Sequence, residues 1–534
     1  MSYPPVTILC LATLLTSCSS GDDATPVSGT STVSQNEPGL SNACVASGST
    51  RLLAQTAYRS HCDVPMKYCA PTPDQWMCAS DKRSIRPTTP GSINTAALQS
   101  ELQTLLISES AGQGLQAFTL PIETDLQQIP QDRNNTLTAA KVELGKFMFH
   151  DTGFALNGVS NDPGTWSCSA CHNAAAGFKA GIPQGIGEGG VGYELDGSHR
   201  QLALGFDPAA VEGADNKPDL QPIAPPATLN VAYQEVVLWN GELGNAGIVN
   251  SSIPVKQLTT VGTPREANKR GFAGPETQAI AGIKLHRLQM AGQTPLSSKA
   301  EYRALWQAAY PSGSIDITED AAKAIASYVR TILTNQAPFQ QWLRGDTQAL
   351  NETELQGAVL FFGDAGCSSC HQGPALSTVE NAHEHEMFSA VGFADFDTSQ
   401  NNIHGEIPAS VGLGRGGFTL NETDNYKFKI PQLYNLADST VLGHGASFSS
   451  IREVIKYKND AVPQNTDAAS NLDQRFVPLG LSIQDISQLT TFLTTALHDP
   501  KLNRYEPAYV PSGACITVDA LDGLSDYRCN YTAP

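Results

Sequence analysis

Read for periodicity, the chain alternates short stretches of helical spacing with long stretches that have none. Residues 94–112 are helix-like, and from Thr138 to Phe149 the apolar positions Val142, Leu144, Phe147, Met148 and Phe149 fall on roughly helical spacing. Helical signals return at 274–291 and at 318–334, where Ala321, Ala324, Ile325 and Tyr328 share one face. A further helix is expected from Thr353 to Phe362, another from Ser449 to 458, and a last over 482–496, after Pro478-Leu-Gly-Leu481. Residues 153–165, the Gly- and Pro-rich stretch 177–226, and 378–426 read as loops. The pattern predicts a mostly α protein with long loops, and 534 residues allow two or three domains with a sizeable core.

Composition narrows this picture. With 40% hydrophobic and 16% charged residues the chain is globular rather than disordered. A formal charge of −19 argues against nucleic acid as a partner and suits a basic redox protein instead. An apolar run from Val6 through Leu15 reads as an export signal, too short for a spanning helix. It ends in Leu15-Thr-Ser-Cys18, which is similar to a bacterial lipobox and would make Cys18 the lipidated residue, although the segment before it carries no Lys or Arg. A plain secretory signal cut nearby is the alternative. Residues 1–18 are therefore expected to be a lipoprotein-type signal and 19–43 a Ser/Thr/Gly/Pro-rich tether. The expected location is the periplasm, with a lipid anchor to the membrane; Ser19 and Ser20 favour the outer membrane.

The candidate chemistry lies in two short echoes. Trp166-Ser-Cys168-Ser-Ala-Cys171-His172 and Gly366-Cys367-Ser-Ser-Cys370-His371 are both C-x-x-C-H, the signature of covalent c-type haem attachment. Two thiols one turn apart can form thioethers with the two vinyl groups of one porphyrin, and the adjacent His then meets the iron. Buried disulfides or half of a zinc site are the other readings, but neither needs the same His offset twice. Two covalently bound haem c groups are expected, on Cys168, Cys171 and His172 and on Cys367, Cys370 and His371. Leaving out Cys10 and Cys18, six cysteines remain, Cys44, Cys62, Cys69, Cys78, Cys515 and Cys529, which read as three disulfides with fifteen pairings open.

Around these motifs the chain resembles the bacterial di-haem cytochrome c peroxidase family, which includes the MauG-type enzymes. The resemblance rests on Glu143-Leu-Gly-Lys-Phe-Met-Phe-His-Asp151, Pro226-Ala-Thr-Leu-Asn230, Leu238-Trp-Asn-Gly241, Tyr302-Arg-Ala-Leu-Trp306 and Trp342-Leu-Arg-Gly-Asp346. It continues through Gly357-Ala-Val-Leu-Phe-Phe-Gly363, Phe428-Lys-Ile-Pro-Gln-Leu433, Asn435, His444 and Pro478-Leu-Gly-Leu481. It covers roughly residues 120–500. It implies a first, peroxide-reactive haem domain at 120–335 with His172 as proximal ligand. A second, electron-relaying domain at 336–500 would have His371 in that role. A Cys-containing segment, 44–119, and a Cys-containing tail, 501–534, lie outside the resemblance and are expected to be disulfide-linked. Trp239 matches the tryptophan between the haems, or is simply a core aromatic. The implied partners are hydrogen peroxide and a small redox protein such as a cytochrome c, and calcium is a possible further cofactor.

Two departures bear on function. In the run from Gln278 through His286 to Gln289-Met290, Gln289 stands where the family has an acid, and an amide cannot shuttle a proton. His286, one turn earlier, is a candidate base, a displaceable ligand, or an ordinary hydrogen-bonded histidine. At the second haem, Lys458 stands where family members carry a Met or Tyr ligand, with Tyr457 beside it; Met387, His383 and His385 compete, or form a solvated loop. His444 is expected to orient a haem edge. An amine or phenolate lowers a haem potential relative to a thioether, which leans toward the MauG type. Three functions follow: a di-haem peroxidase, a MauG-like oxidase of a partner protein or small molecule, or a non-enzymatic electron carrier.

Overall fold

A computed structural model describes residues 69–72, 75–78, 94–160, 164–191, 200–244, 249–378, 384–396 and 407–514, with backbone alone at 69–78 and at 384–385. The signal, Cys18, the tether, Cys44, Cys62, Cys515 and Cys529 lie outside the described residues, as does His383. An antiparallel hairpin places Cys69 opposite Cys78 in register. Among the described residues no helix is long and apolar enough to cross a membrane.

Among the described residues, eight helices of nine residues or more organise the fold: α1 (Thr95–Glu109), α2 (Ala139–His150), α3 (Gly274–Leu285), α4 (Ala300–Ala309), α5 (Ile317–Arg330), α6 (Glu352–Phe362), α7 (Ile451–Asp460) and α8 (Ile483–Thr491). Most begin at a side-chain cap. Asn94, Thr138, Asp316 and Ser450 each accept a first-turn N–H, and Asn351/Glu354 and Ser482/Asp485 form reciprocal capping boxes. Each such cap contributes about 1 kcal/mol. The helix expected over 274–291 ends sooner, because Arg287 adopts a left-handed φ of 57° that no helix continues through. The 482–496 segment runs as α8 and then as a π-helical turn over Phe492–Ala496.

Among the described residues, two large hydrophobic cores form beside smaller clusters. One gathers Leu144, Phe147, Phe149, Trp166, Phe178, Ile283, Tyr302, Ile325 and Tyr328, and receives Leu502, Tyr505 and Val510 from the far end of the chain. The other gathers Phe339, Trp342, Leu355, Phe361, Ile455, Leu489 and Phe492, and receives Leu98, Leu102 and Leu106 from α1. Each core thus borrows from a segment beyond the matching part of the 120–500 span.

Both cores use one device. α2 lies so close to α5 that a Cβ on Gly145 would sit 1.9 Å from the Ala324 carbonyl oxygen, and α6 lies so close to α8 that one on Gly357 would sit 2.2 Å from that of Gln488. Four residues after each glycine stands a phenylalanine. Phe149 and Phe361 each place their ring centroid 6.5 Å from that of a C-x-x-C-H histidine, His172 and His371 respectively. α3 is tied to α5 by a buried ion pair, Arg330 Nη2 to Glu276 Oε2 at 2.6 Å and Nε to Oε1 at 2.9 Å.

Candidate haem sites

The two C-x-x-C-H motifs fold alike. Each is a short 3₁₀ turn in which the His backbone N–H donates to the carbonyl of the first cysteine, at 3.1 Å for His172 and 3.0 Å for His371. The four thiols are free, so the disulfide reading does not apply to them. Burial pushes the thiols of Cys168, Cys171 and Cys367 up to about 12. His172 Nδ1 donates to the Phe178 carbonyl at 3.2 Å, and His371 Nδ1 to the Leu376 carbonyl at 3.0 Å. Phe178 and Leu376 are both left-handed, with φ of 53° and 47°. A tight reversal after each motif thereby aims a carbonyl back at the ring. That bond fixes the tautomer and leaves Nε2 as the metal-facing nitrogen. Burial lowers the pKa of His172 and of His371 to about 4, so each ring is neutral near pH 7, as a ligand must be.

The surroundings of His371 suit a haem. A cavity lined by Cys367, Cys370 and His371 is walled by apolar side chains including Leu433, Leu436, Leu442, Ile451, Ile455 and Leu489. Three lysines, Lys179, Lys429 and Lys458, line the same cavity, and burial lowers each to about 8. Lys429 Nζ donates to the Gln234 amide oxygen at 2.6 Å, a neutral partner. Arg475 also lines the cavity and donates to the Ser369 carbonyl inside the motif at 2.8 Å. Buried cations around an apolar slot match a flat, apolar macrocycle that carries two carboxylates. The residues present therefore fit a covalently held haem.

The remaining candidates separate clearly. Lys458 lines the cavity, with its ammonium 5.4 Å from the ring centroids of Phe393 and of Phe476. Tyr457 points away from it. Its hydroxyl donates to the Val391 carbonyl, and its ring packs on Phe393, Phe448 and Phe476. Met387 is buried in a small cluster with Val236, Val249 and Phe388 and is not part of the cavity wall. Trp239 lines the cavity and donates from Nε1 to the Ala224 carbonyl at 2.7 Å. His444 lies beside it, ring to ring at 6.3 Å, stacked on Phe428 at 3.7 Å and bonded through Nε2 to Asp395 at 3.0 Å.

Gln289 turns its side-chain amide to the Ala291 carbonyl at 2.9 Å, while its backbone N–H donates to the Phe154 carbonyl. Gln278 is half-buried on α3. His286, at the C-terminal end of α3, is bonded by Asp219 and faces Gln221, two residues of the Gly- and Pro-rich stretch 177–226. The echo of Gly145-x-x-x-Phe149 in Gly357-x-x-x-Phe361 was a usable signal for the ring beside each histidine; nothing comparable marks Asp219. Among the described residues, no group of three or more His, Cys, Asp or Glu side chains forms a metal cluster.

The family description "Di-haem cytochrome c peroxidase" matches residues 139–348, which include the first C-x-x-C-H and end before the second. The chain is 25% identical over 388 residues to cytochrome-c peroxidase IdrP2 of Denitromonas iodatirespirans, covering 71% of this chain and 86% of that one. It is 24% identical to methylamine utilization protein MauG of Methylorubrum extorquens, covering 70% and 83%. With cytochrome c551 peroxidase of Nitrosomonas europaea it shares 25% identity, covering 73% and 87%. Two C-x-x-C-H motifs on matched helical supports accord with these similarities, which indicate an oxidoreductase of the cytochrome c peroxidase type. These similarities support the di-haem cytochrome c peroxidase family as the one this chain resembles.

Proposed function

We propose that this protein is a di-haem c-type peroxidase that reduces hydrogen peroxide to water with electrons from a small redox protein. The observation that carries the reading is the duplicated proximal arrangement: free thiol pair, neutral imidazole, Nδ1 held by a left-handed carbonyl and Phe ring alongside, at two separate places. The haems, when bound, supply the redox chemistry. Cys168, Cys171, Cys367 and Cys370 would carry the thioethers, with His172 and His371 on the irons. Lys179, Lys429 and Arg475 offer positive charge to the carboxylates of the second group. Trp239, on the wall of the second cavity, is a candidate bridge for electrons passing to the His172 site. The net reaction takes up two electrons and two protons per peroxide and yields two waters.

One observation favours a second reading, a MauG-like oxidase of a partner protein or small molecule. Lys458, not a methionine, faces the second cavity, and an amine on that iron would hold its potential low. Periplasmic location, a lipid anchor at Cys18, three terminal disulfides and a calcium ion are further parts of the proposal that the signal-like start, the cysteine count and the family resemblance motivate. The test is turnover. Haem-loaded protein mixed with peroxide and a reduced c-type cytochrome should oxidise two cytochromes per peroxide; no oxidation of the cytochrome while peroxide is consumed would favour the oxidase.

A further inference from the structure

The resemblance leaves the His172 haem without an acid–base group, since Gln289 spends its amide on Ala291. A different group stands ready. We propose that His286, positioned by Asp219, moves the proton of a peroxide bound at the His172 haem; the proposal rests on the peroxidase reading above.

His286 is fixed to the haem motif. Its backbone N–H donates to Gly282 at 2.8 Å, and its carbonyl accepts from Trp166 Nε1 at 2.8 Å, two residues before Cys168. Its Nδ1 lies 2.8 Å from Asp219 Oδ2, a carboxylate only 10% exposed. Asp219 arrives on a segment that pairs backward onto residues 185–188: Gly187 N–H to Asp219 O at 2.9 Å, Asp219 N–H to Glu188 O at 3.0 Å, Gln221 N–H to Gly185 O at 2.9 Å.

Two glycines make this contact possible. A Cβ on Gly187 would sit 2.2 Å from the very oxygen that holds His286, and one on Gly185 would sit 3.0 Å from Cys171 Sγ and 3.2 Å from Gln221 Cγ. The second measurement also puts the Gln221 side chain beside a haem-bearing sulfur. With Nδ1–H committed to Asp219, Nε2 carries the lone pair and faces the Gln221 amide nitrogen at 3.2 Å. That amide is a weak donor that a peroxide hydroxyl can replace.

The electrostatics agree. Burial works against an imidazolium here, yet the Asp219 charge and hydrogen bond carry the His286 pKa above the ordinary histidine value. Of the charged groups around the pair, Arg287 lowers that value and is itself bonded to Glu188, while His172 and His286 oppose one another's protonation. A base near neutrality is the efficient kind. The imidazole takes the proton from one peroxide oxygen and gives it to the other, so the O–O bond breaks with water leaving. The two electrons of the overall reduction come from the reduced redox protein. Asp219 acts through its bond to His286 Nδ1, so it is a positioning residue.

The test uses the full-length haem-loaded protein, His286→Gln and Asp219→Asn, with the spectrum of the second haem as a check on assembly. Cyanide provides a readout without peroxide chemistry, because hydrogen cyanide must surrender its proton to bind iron. His286→Gln should slow both cyanide association and peroxide reaction by about 10²-fold or more. Asp219→Asn should shift the pH profiles of both rates to lower pH, since the imidazole loses the charge that raises its pKa; it also carries the test if the His286 variant fails to load haem. Unchanged rates in His286→Gln, or unshifted profiles in Asp219→Asn, overturn this proposal alone. A wild-type protein that binds cyanide at a His286-dependent rate but ignores peroxide overturns the peroxidase reading, and this role with it.

Discussion

Gly145→Ala is the sharpest structural test. In an exposed helix the change gains about 1 kcal/mol of propensity. Here the new methyl would lie 1.9 Å from the Ala324 oxygen, 2.4 Å from its carbonyl carbon and 2.9 Å from the Ile325 nitrogen. All three are backbone atoms of α5, so no side chain can swing aside and the two helices must part. Overpacking of this kind costs about 1–3 kcal/mol, occasionally more, and the rigid neighbours put this site at the upper end. Net of propensity, the loss should be about 1–2 kcal/mol. At about 2–4 °C per kcal/mol for a unit of 150–250 residues, thermal unfolding should move down by about 2–8 °C. The displaced α2 carries Phe149, so the spectrum of the His172 haem should change while that of the His371 haem does not. Gly282→Ala is the control, since its nearest contact is His286 Cδ2 at an ordinary 3.7 Å, and it should stabilise by about 0.4–1 kcal/mol. If calorimetry finds Gly145→Ala as stable as the control, the close approach of α2 and α5 is wrong.

Arg330→Met should destabilise by about 3–5 kcal/mol in denaturant titration, because it strands the fully buried Glu276 carboxylate; adding Glu276→Gln should recover much of the loss. Lys458→Met should raise the potential of the second haem and introduce the absorption of a sulfur ligand; a redox titration that finds neither removes Lys458 from that iron. Asp473 is held at about 2, first by its hydrogen bond to Arg475, which also grips the second haem motif. A depressed carboxylate contributes stability above its unfolded value and loses it on protonation. The wild type should therefore lose stability between about pH 4 and about pH 2, and Asp473→Asn should flatten that loss in a pH series of melting curves.

How much of this was legible in the sequence depends on range. The haem motifs were readable because a thiol pair and its histidine lie within one turn, and helix starts were readable because a cap acts over three residues. Lys458 and Tyr457 could not be ranked from their order. Adjacent helical residues point about 100° apart, and only the aromatic nest of Phe393, Phe448 and Phe476 decides that the tyrosine packs there while the lysine lines the cavity. The early end of α3 was hidden because arginine is no stop signal; Arg287 is held left-handed by its bonds to Glu188 and to the Lys217 carbonyl. Asp219 was hidden for a like reason. Its partner stands 67 residues away, and the loop that delivers it has no periodicity to read.

On the proposed reading, His172 would hold a haem that reacts with peroxide and His371 one that relays electrons. Electron paramagnetic resonance of the haem-loaded protein, before and after one equivalent of hydrogen peroxide, tests it directly. The account predicts a high-spin signal that peroxide consumes, beside a low-spin signal in the resting protein, with the resting spectrum restored by reduced cytochrome c followed by reoxidation. Two low-spin signals that peroxide leaves unchanged, before and after partial reduction, would contradict it and leave an electron carrier.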